Sequence, residues 1–211
     1  MYLSNTPFAR IAHVVSLVGC LLAVGCAADV GTGADGDAAP LVELETEALT
    51  STCTPTPATL AVPDGNRLAF RLNAKGVQIY SCNATTTGGF AWTFVAPEAD
   101  LTTRIGGIVV GLHYAGPTWE LYDGSSVVGA KVAAATVDTT AVPWLLLSAK
   151  SHAGQGFMTP VTYIRRVNTV GGLAPATGCD AAGVGAEARV DYTATYEYFM
   201  AGKGGAPRSC Y

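Results

Sequence analysis

Charge is what this chain most lacks: only 13% of its 211 residues are Asp, Glu, Lys or Arg, against about 25% in an average soluble protein. That scarcity excludes a coiled coil and a charged disordered chain. Basic residues are not gathered on any stretch, so a nucleic-acid partner is not expected. Histidine is sparse, and no paired-His metal motif occurs. There is no phosphate loop. Gly106-Gly107 to Gly111 is not a dinucleotide fingerprint, because the third glycine is misplaced and no βαβ pattern surrounds it. No serine stands at a strand-to-helix elbow. The expectation is therefore no metal, no nucleotide and no other cofactor. Glycine is plentiful, 25 residues, but without the period of a collagen.

The N-terminus carries an address. Met1 to Arg10 is polar with one positive charge, and Ile11 to Val24 is an apolar run broken by His13, Ser16, Gly19 and Cys20. Small residues and Cys26 follow. This is the layout of a secretory signal, and no later segment approaches membrane-spanning length. Two stretches resemble a lipobox, in which a Cys after small residues is lipidated. Leu17-Val-Gly-Cys20 has the better local match, but cutting there leaves Leu21-Leu-Ala-Val24 on the mature chain. Ala23-Val-Gly-Cys26 has the right context on both sides, so residues 1–26 are read as a lipoprotein-type signal with Cys26 as the lipidated residue; plain secretion is the alternative. The only membrane contact expected is through that anchor, which places the chain at the outer membrane or cell surface. Residues 27–52 read as an acidic Gly/Ala-rich tether: all six acids between Asp29 and Glu47 lie here with no base, and there is little to bury.

From Cys53 the chain is punctuated every eight to twelve residues, as all-β domains are. Leu68, Phe70 and Leu72 alternate with Ala69 and Arg71 as a strand. Asn73-Ala-Lys-Gly76 reads as a hairpin loop into Val77–Cys82. Phe90–Val95 follows, then Ala96–Leu101 as one helical turn opened by Pro97. Further strands are Ile108–Tyr114, Thr118–Tyr122, Val127–Ala135, Val142–Leu147, Val161–Asn168 and Arg189–Phe199. Residues 53–211 are thus expected to form one all-β domain, a single antiparallel β-sandwich or flattened β-barrel of about nine or ten strands.

The densest polar and aromatic stretch is Gly111 to Gly124. If its two strands pair, His113 and Glu120 lie across from each other, with Asp123 nearby, as an acid–base or metal-binding couple. The competing reading is a buried histidine satisfied by a carboxylate, with Trp119 in the core. Tyr114 and Trp119 offer stacking surface. Arg165 and Arg166 point to opposite faces, one solvated and the other paired with Glu120 or Glu98. Should His113 and Glu120 face apart, a binding strip of Tyr192, Tyr196 and Tyr198 becomes the better candidate.

Several motifs run in order: Gly76-Val-Gln-Ile-Tyr-Ser-Cys82, Ala96-Pro-Glu-Ala99, Gly111-Leu-His-Tyr-Ala-Gly-Pro-Thr-Trp-Glu120, Val142-Pro-Trp-Leu-Leu-Leu147, Ile164-Arg-Arg-Val-Asn-Thr-Val-Gly-Gly172, Ala174-Pro-Ala-Thr-Gly-Cys-Asp180 and Tyr192-Thr-Ala-Thr-Tyr196. Together they resemble the secreted bacterial and fungal family catalogued as domain of unknown function 3455, over about Asn66 to Phe199. The family supplies no catalytic residues to carry over. Cys82 and Cys179 fall inside the family-like motifs and are paired on that ground, leaving Cys53 with Cys210; the pairings 53–82 with 179–210 and 53–179 with 82–210 stay open. The functional expectation is an exported, lipid-anchored cell-envelope protein acting as a β-sandwich binding or interaction module, with a glycan, lipid or protein as ligand. The alternative is an envelope hydrolase using His113, Glu120 and Asp123.

Overall fold

Period-two alternation governs residues 55–203, the part that the computed structural model describes. The expected signal and tether, Cys20, Cys26, Cys53 and Cys210 lie outside the described residues. Eight strands follow in order: β1 (Asn66–Ala84), β2 (Phe90–Thr102), β3 (Val109–Tyr114), β4 (Thr118–Leu121), β5 (Ser126–Ala135), β6 (Trp144–Ala153), β7 (Val161–Gly171) and β8 (Glu187–Ala201). Each pairs antiparallel with the next, and β8 returns to β1, so the sheet is a closed barrel. Of the expected all-β sandwich or flattened barrel, the sheet forms a closed barrel, with eight strands rather than nine or ten.

Two local expectations are corrected. Asn73–Gly76 is not a hairpin: β1 runs through it, pairing with β2 on one side and β8 on the other. Gly76 serves close approach instead of a turn. A Cβ there would stand 2.1 Å from the carbonyl oxygen of Glu98, so only glycine lets β1 and β2 meet. Residues 96–101 are not helical but part of β2, with Pro97, Ala99 and Leu101 buried and Glu98 and Asp100 exposed. Pro97 is tolerated because β3 reaches along β2 only to Ala99, leaving Pro97 on an edge.

The inward residues fill the barrel: Leu72, Leu101, Trp119, Leu147, Ile164 and the tyrosines of β8. Gly129 makes room, since a Cβ there would lie 2.9 Å from the Trp119 ring. A second cluster lies outside the wall. There the segment around a short 3-10 turn (Ala58–Leu60) lays Leu60 and Val62 on Trp144, Leu146, Val167 and Phe199. Burying Leu60 this way is worth about 1.5–3 kcal/mol. This strap explains why Trp144–Leu147 is apolar on both faces. Cys82, at the upper end of β1, is joined to Cys179 in the β7–β8 connection with an S–S distance of 2.00 Å, the pairing that the resemblance implied.

Candidate functional site

The β3–β4 hairpin turns through Ala115–Pro117, and its register sets His113 opposite Trp119 and Leu112 opposite Glu120. His113 therefore points into the barrel and Glu120 out of it. The imidazole stacks on Trp119 at 4.4 Å between ring centroids and meets Tyr196 edge-on at 5.0 Å. Its Nδ1–H donates to the Thr118 carbonyl at 2.8 Å. Burial pushes the His113 pKa down to about 3, so the ring is neutral at ordinary pH. On the outer face, Glu120 accepts a hydrogen bond from the Tyr114 hydroxyl at 2.5 Å. Asp123 sits at the lower end of the barrel, accepting from Ser125 and from the Phe157 N–H. The couple of His113 with Glu120 and Asp123 is not assembled, because the three-residue turn fixes an odd register that puts the two side chains on opposite faces.

The buried histidine makes stability depend on pH. Its folded pKa lies below the ordinary value of about 6.5, so between the two the unfolded chain binds a proton that the folded chain does not. Stability is fully present above about pH 6.5 and falls as the pH drops toward 3. From pH 7 to pH 5 this group should remove about 2 kcal/mol. In His113→Phe, which keeps a ring against Trp119, urea denaturation should show that share of the pH slope gone; an unchanged slope would refute the assignment.

Arg165 and Arg166 do face opposite sides, but neither is solvated. Arg165 lies outside, under the strap, and its partner is neither Glu120 nor Glu98. It binds Glu197, which also takes Arg71, while Glu98 pairs with Arg189 at the surface. The tyrosine strip of β8 is likewise corrected. Tyr192, Tyr196 and Tyr198 are buried inside the barrel, since closure of the sheet turns that face inward.

Inside the upper mouth lies a cavity of about 570 Å³, within the range of small-molecule sites. Phe94, Val95 and Pro117 form its exposed rim, and His113, Trp119 and Tyr196 are among its walls. Arg166 reaches it from β7 and Lys131 from β5. Sequence reasoning missed Gln78, Lys131 and the inward role of Arg166; the alternation of β1 and β7 carried the signal, but only closure of the barrel makes these residues converge. Gln78 Nε2 and Trp119 Nε1 are buried without a hydrogen-bond partner, while the Tyr196 hydroxyl interacts with Tyr192 and Arg166. A recess of about 680 Å³ at the lower mouth is lined by residues such as Phe70, Leu121 and Phe157, none of which carries such an orphaned atom. Among the described residues no three His, Cys, Asp or Glu side chains converge as a metal site.

The family described as "Protein of unknown function (DUF3455)" matches residues 63–200, which span nearly the whole barrel. Neither the curated proteins nor the solved structures give a match.

Proposed function

The chain belongs to this family of unknown function, and from the barrel that it builds we propose that it is a binding module which takes one small, largely apolar molecule into the upper mouth. The observation that carries this reading is the cavity itself, an apolar-rimmed space with two buried donors, Gln78 Nε2 and Trp119 Nε1, left unpartnered on its walls. An eight-stranded barrel is just wide enough to be filled by its own side chains or to hold one small ligand. Here the middle layer is filled by Leu101, Ile164 and the tyrosines, both mouths stay open, and only the upper one carries unpartnered buried donors on its walls. Orphaned buried donors each cost about 1–3 kcal/mol when left unmade, and a ligand or water that meets them recovers that energy. The same proposal takes the protein to be exported and anchored by lipid at Cys26, a reading supported by the sequence of residues 1–52.

A neutral solvatochromic dye, Nile red, tests the binding reading. Fluorescence titration should give saturable binding of one dye per chain with a Kd of about micromolar order. Leu145→Trp, which fills the cavity from a half-buried position on β6, should abolish it while the far-ultraviolet circular dichroism is unchanged. No saturable binding to the native protein, or equal binding to the folded variant, would refute the proposal.

A further inference from the structure

Buried positive charge is matched by carboxylate everywhere among the described residues except at one place. Three arginines are largely withdrawn from water: Arg71, Arg165 and Arg166. The first two share Glu197 on the outer wall. Arg166, only 8% exposed, faces the cavity; its Nε and Nη2 both donate to the Pro143 carbonyl, at 3.1 and 2.8 Å, and the guanidinium also hydrogen-bonds the Tyr196 hydroxyl. Among the described residues no salt bridge reaches it. A carbonyl and a phenol hydroxyl are both uncharged and do not neutralise a guanidinium, and removing an unneutralised ion from water is costly.

The surroundings repeat the pattern. No Asp or Glu lines the cavity, whereas a second cation, the exposed Lys131, stands at its edge. His113 adds no charge, because its ring is neutral. The orphaned groups are those of Gln78 (2% exposed) and Trp119 (1%). Each supplies an N–H: an amide nitrogen and an indole nitrogen. A wall rich in donors with a net positive charge suits a group that only accepts, and an ionised carboxylate is such a group. The rest of the lining, with Phe94, Val95, Leu145 and Leu147, suits a hydrocarbon body.

We propose that the upper mouth binds an amphipathic monocarboxylate, its head group held by Arg166 and Lys131 and its apolar part in the cavity beside Leu145, Leu147 and the Phe94 rim. This rests on the binding reading above and deepens it. One buried positive charge calls for one negative charge, which favours a carboxylate over a dianionic phosphate. A planar carboxylate also matches the fork of a guanidinium, whose Nη1 takes no part in the bond to Pro143.

The test is displacement of Nile red at pH 7.5 by a matched set: decanoic acid, decan-1-ol and decyl phosphate. Decanoate should bind about 10- to 100-fold more tightly than decanol, the range that a charge-assisted hydrogen bond supplies. Arg166→Gln should erase most of that preference and leave decanol unchanged. Because Arg166 also holds the Pro143 loop, Lys131→Gln at an exposed position serves as the second variant, and it should weaken decanoate about three- to fivefold with no effect on decanol. Decanol equal to decanoate in the native protein would overturn the carboxylate inference and leave the binding module standing. Decyl phosphate tenfold tighter than decanoate would overturn it in favour of a dianion. Failure of the dye and of all three displacers to bind would overturn the binding reading itself.

Discussion

Glu197→Ala should destabilise the barrel by about 3–5 kcal/mol, the usual consequence of stranding a buried partner charge. Glu197 is 1% exposed and sits on the outer face of β8, directly between Arg71 of β1 and Arg165 of β7 in the sheet register. Its Oε1 accepts from Arg71 Nε at 2.8 Å, and its Oε2 from Arg165 Nε at 2.7 Å. The strap closes over the group: Arg165 Nη1 donates to the Leu60 carbonyl at 3.4 Å, and its guanidinium lies 5.1 Å from the Phe199 ring centroid. Without the carboxylate, two guanidiniums face one another in a place that water hardly reaches. The double change Glu197→Leu with Arg165→Met should recover part of the loss, since replacing a buried pair with apolar groups of similar size is often close to neutral. Urea denaturation of the three proteins decides the matter. A cost under about 1 kcal/mol for Glu197→Ala would show that the cluster is solvated and its geometry misassigned.

The second large effect belongs to the Cys82–Cys179 disulfide. Its half-cystines are 97 residues apart in sequence, and a loop of that length is worth about 4–5 kcal/mol in the chain-entropy account, an upper figure. The bridge ties the upper end of β1 to the β7–β8 connection, where Trp92 Nε1 also donates to the Thr177 carbonyl at 2.9 Å. The variant Cys82→Ser with Cys179→Ser should therefore melt about 10 °C lower than the native protein. A melting temperature within a degree or two of the native value would show that the bridge adds little.

Much of the barrel was legible because a strand announces its two faces. Tyr192, Ala194, Tyr196 and Tyr198 alternate with Thr193, Thr195 and Glu197, and the structure buries the first set inside the barrel. Asp123-Gly124 marked the β4–β5 hairpin, and Gly124 adopts the positive φ, 85°, that the turn requires. The neighbouring arginines were placed on opposite faces by the same parity. Other segments misled for a physical reason. Asn73-Ala-Lys-Gly76 has turn chemistry, yet its glycine is needed by the β2 backbone lying across it, a constraint that the local sequence does not contain.

Residue order and residue type by themselves determined the class of fold, most strand positions and the inward and outward sets along each strand, because side-chain alternation is a local property of extended backbone. Tertiary structure alone decided what meets what. One residue of register in the β3–β4 hairpin moves His113 away from Glu120 and onto Trp119. Closure of β8 onto β1 brings Glu197 between two arginines from distant strands. The same closure leaves Arg166, identical in type to Arg165 and adjacent to it, facing a cavity with no carboxylate. Pairings of this kind depend on chain segments about 30 to 130 residues apart, and only the closed sheet sets the distances at which charges and hydrogen-bond donors find partners or go without them.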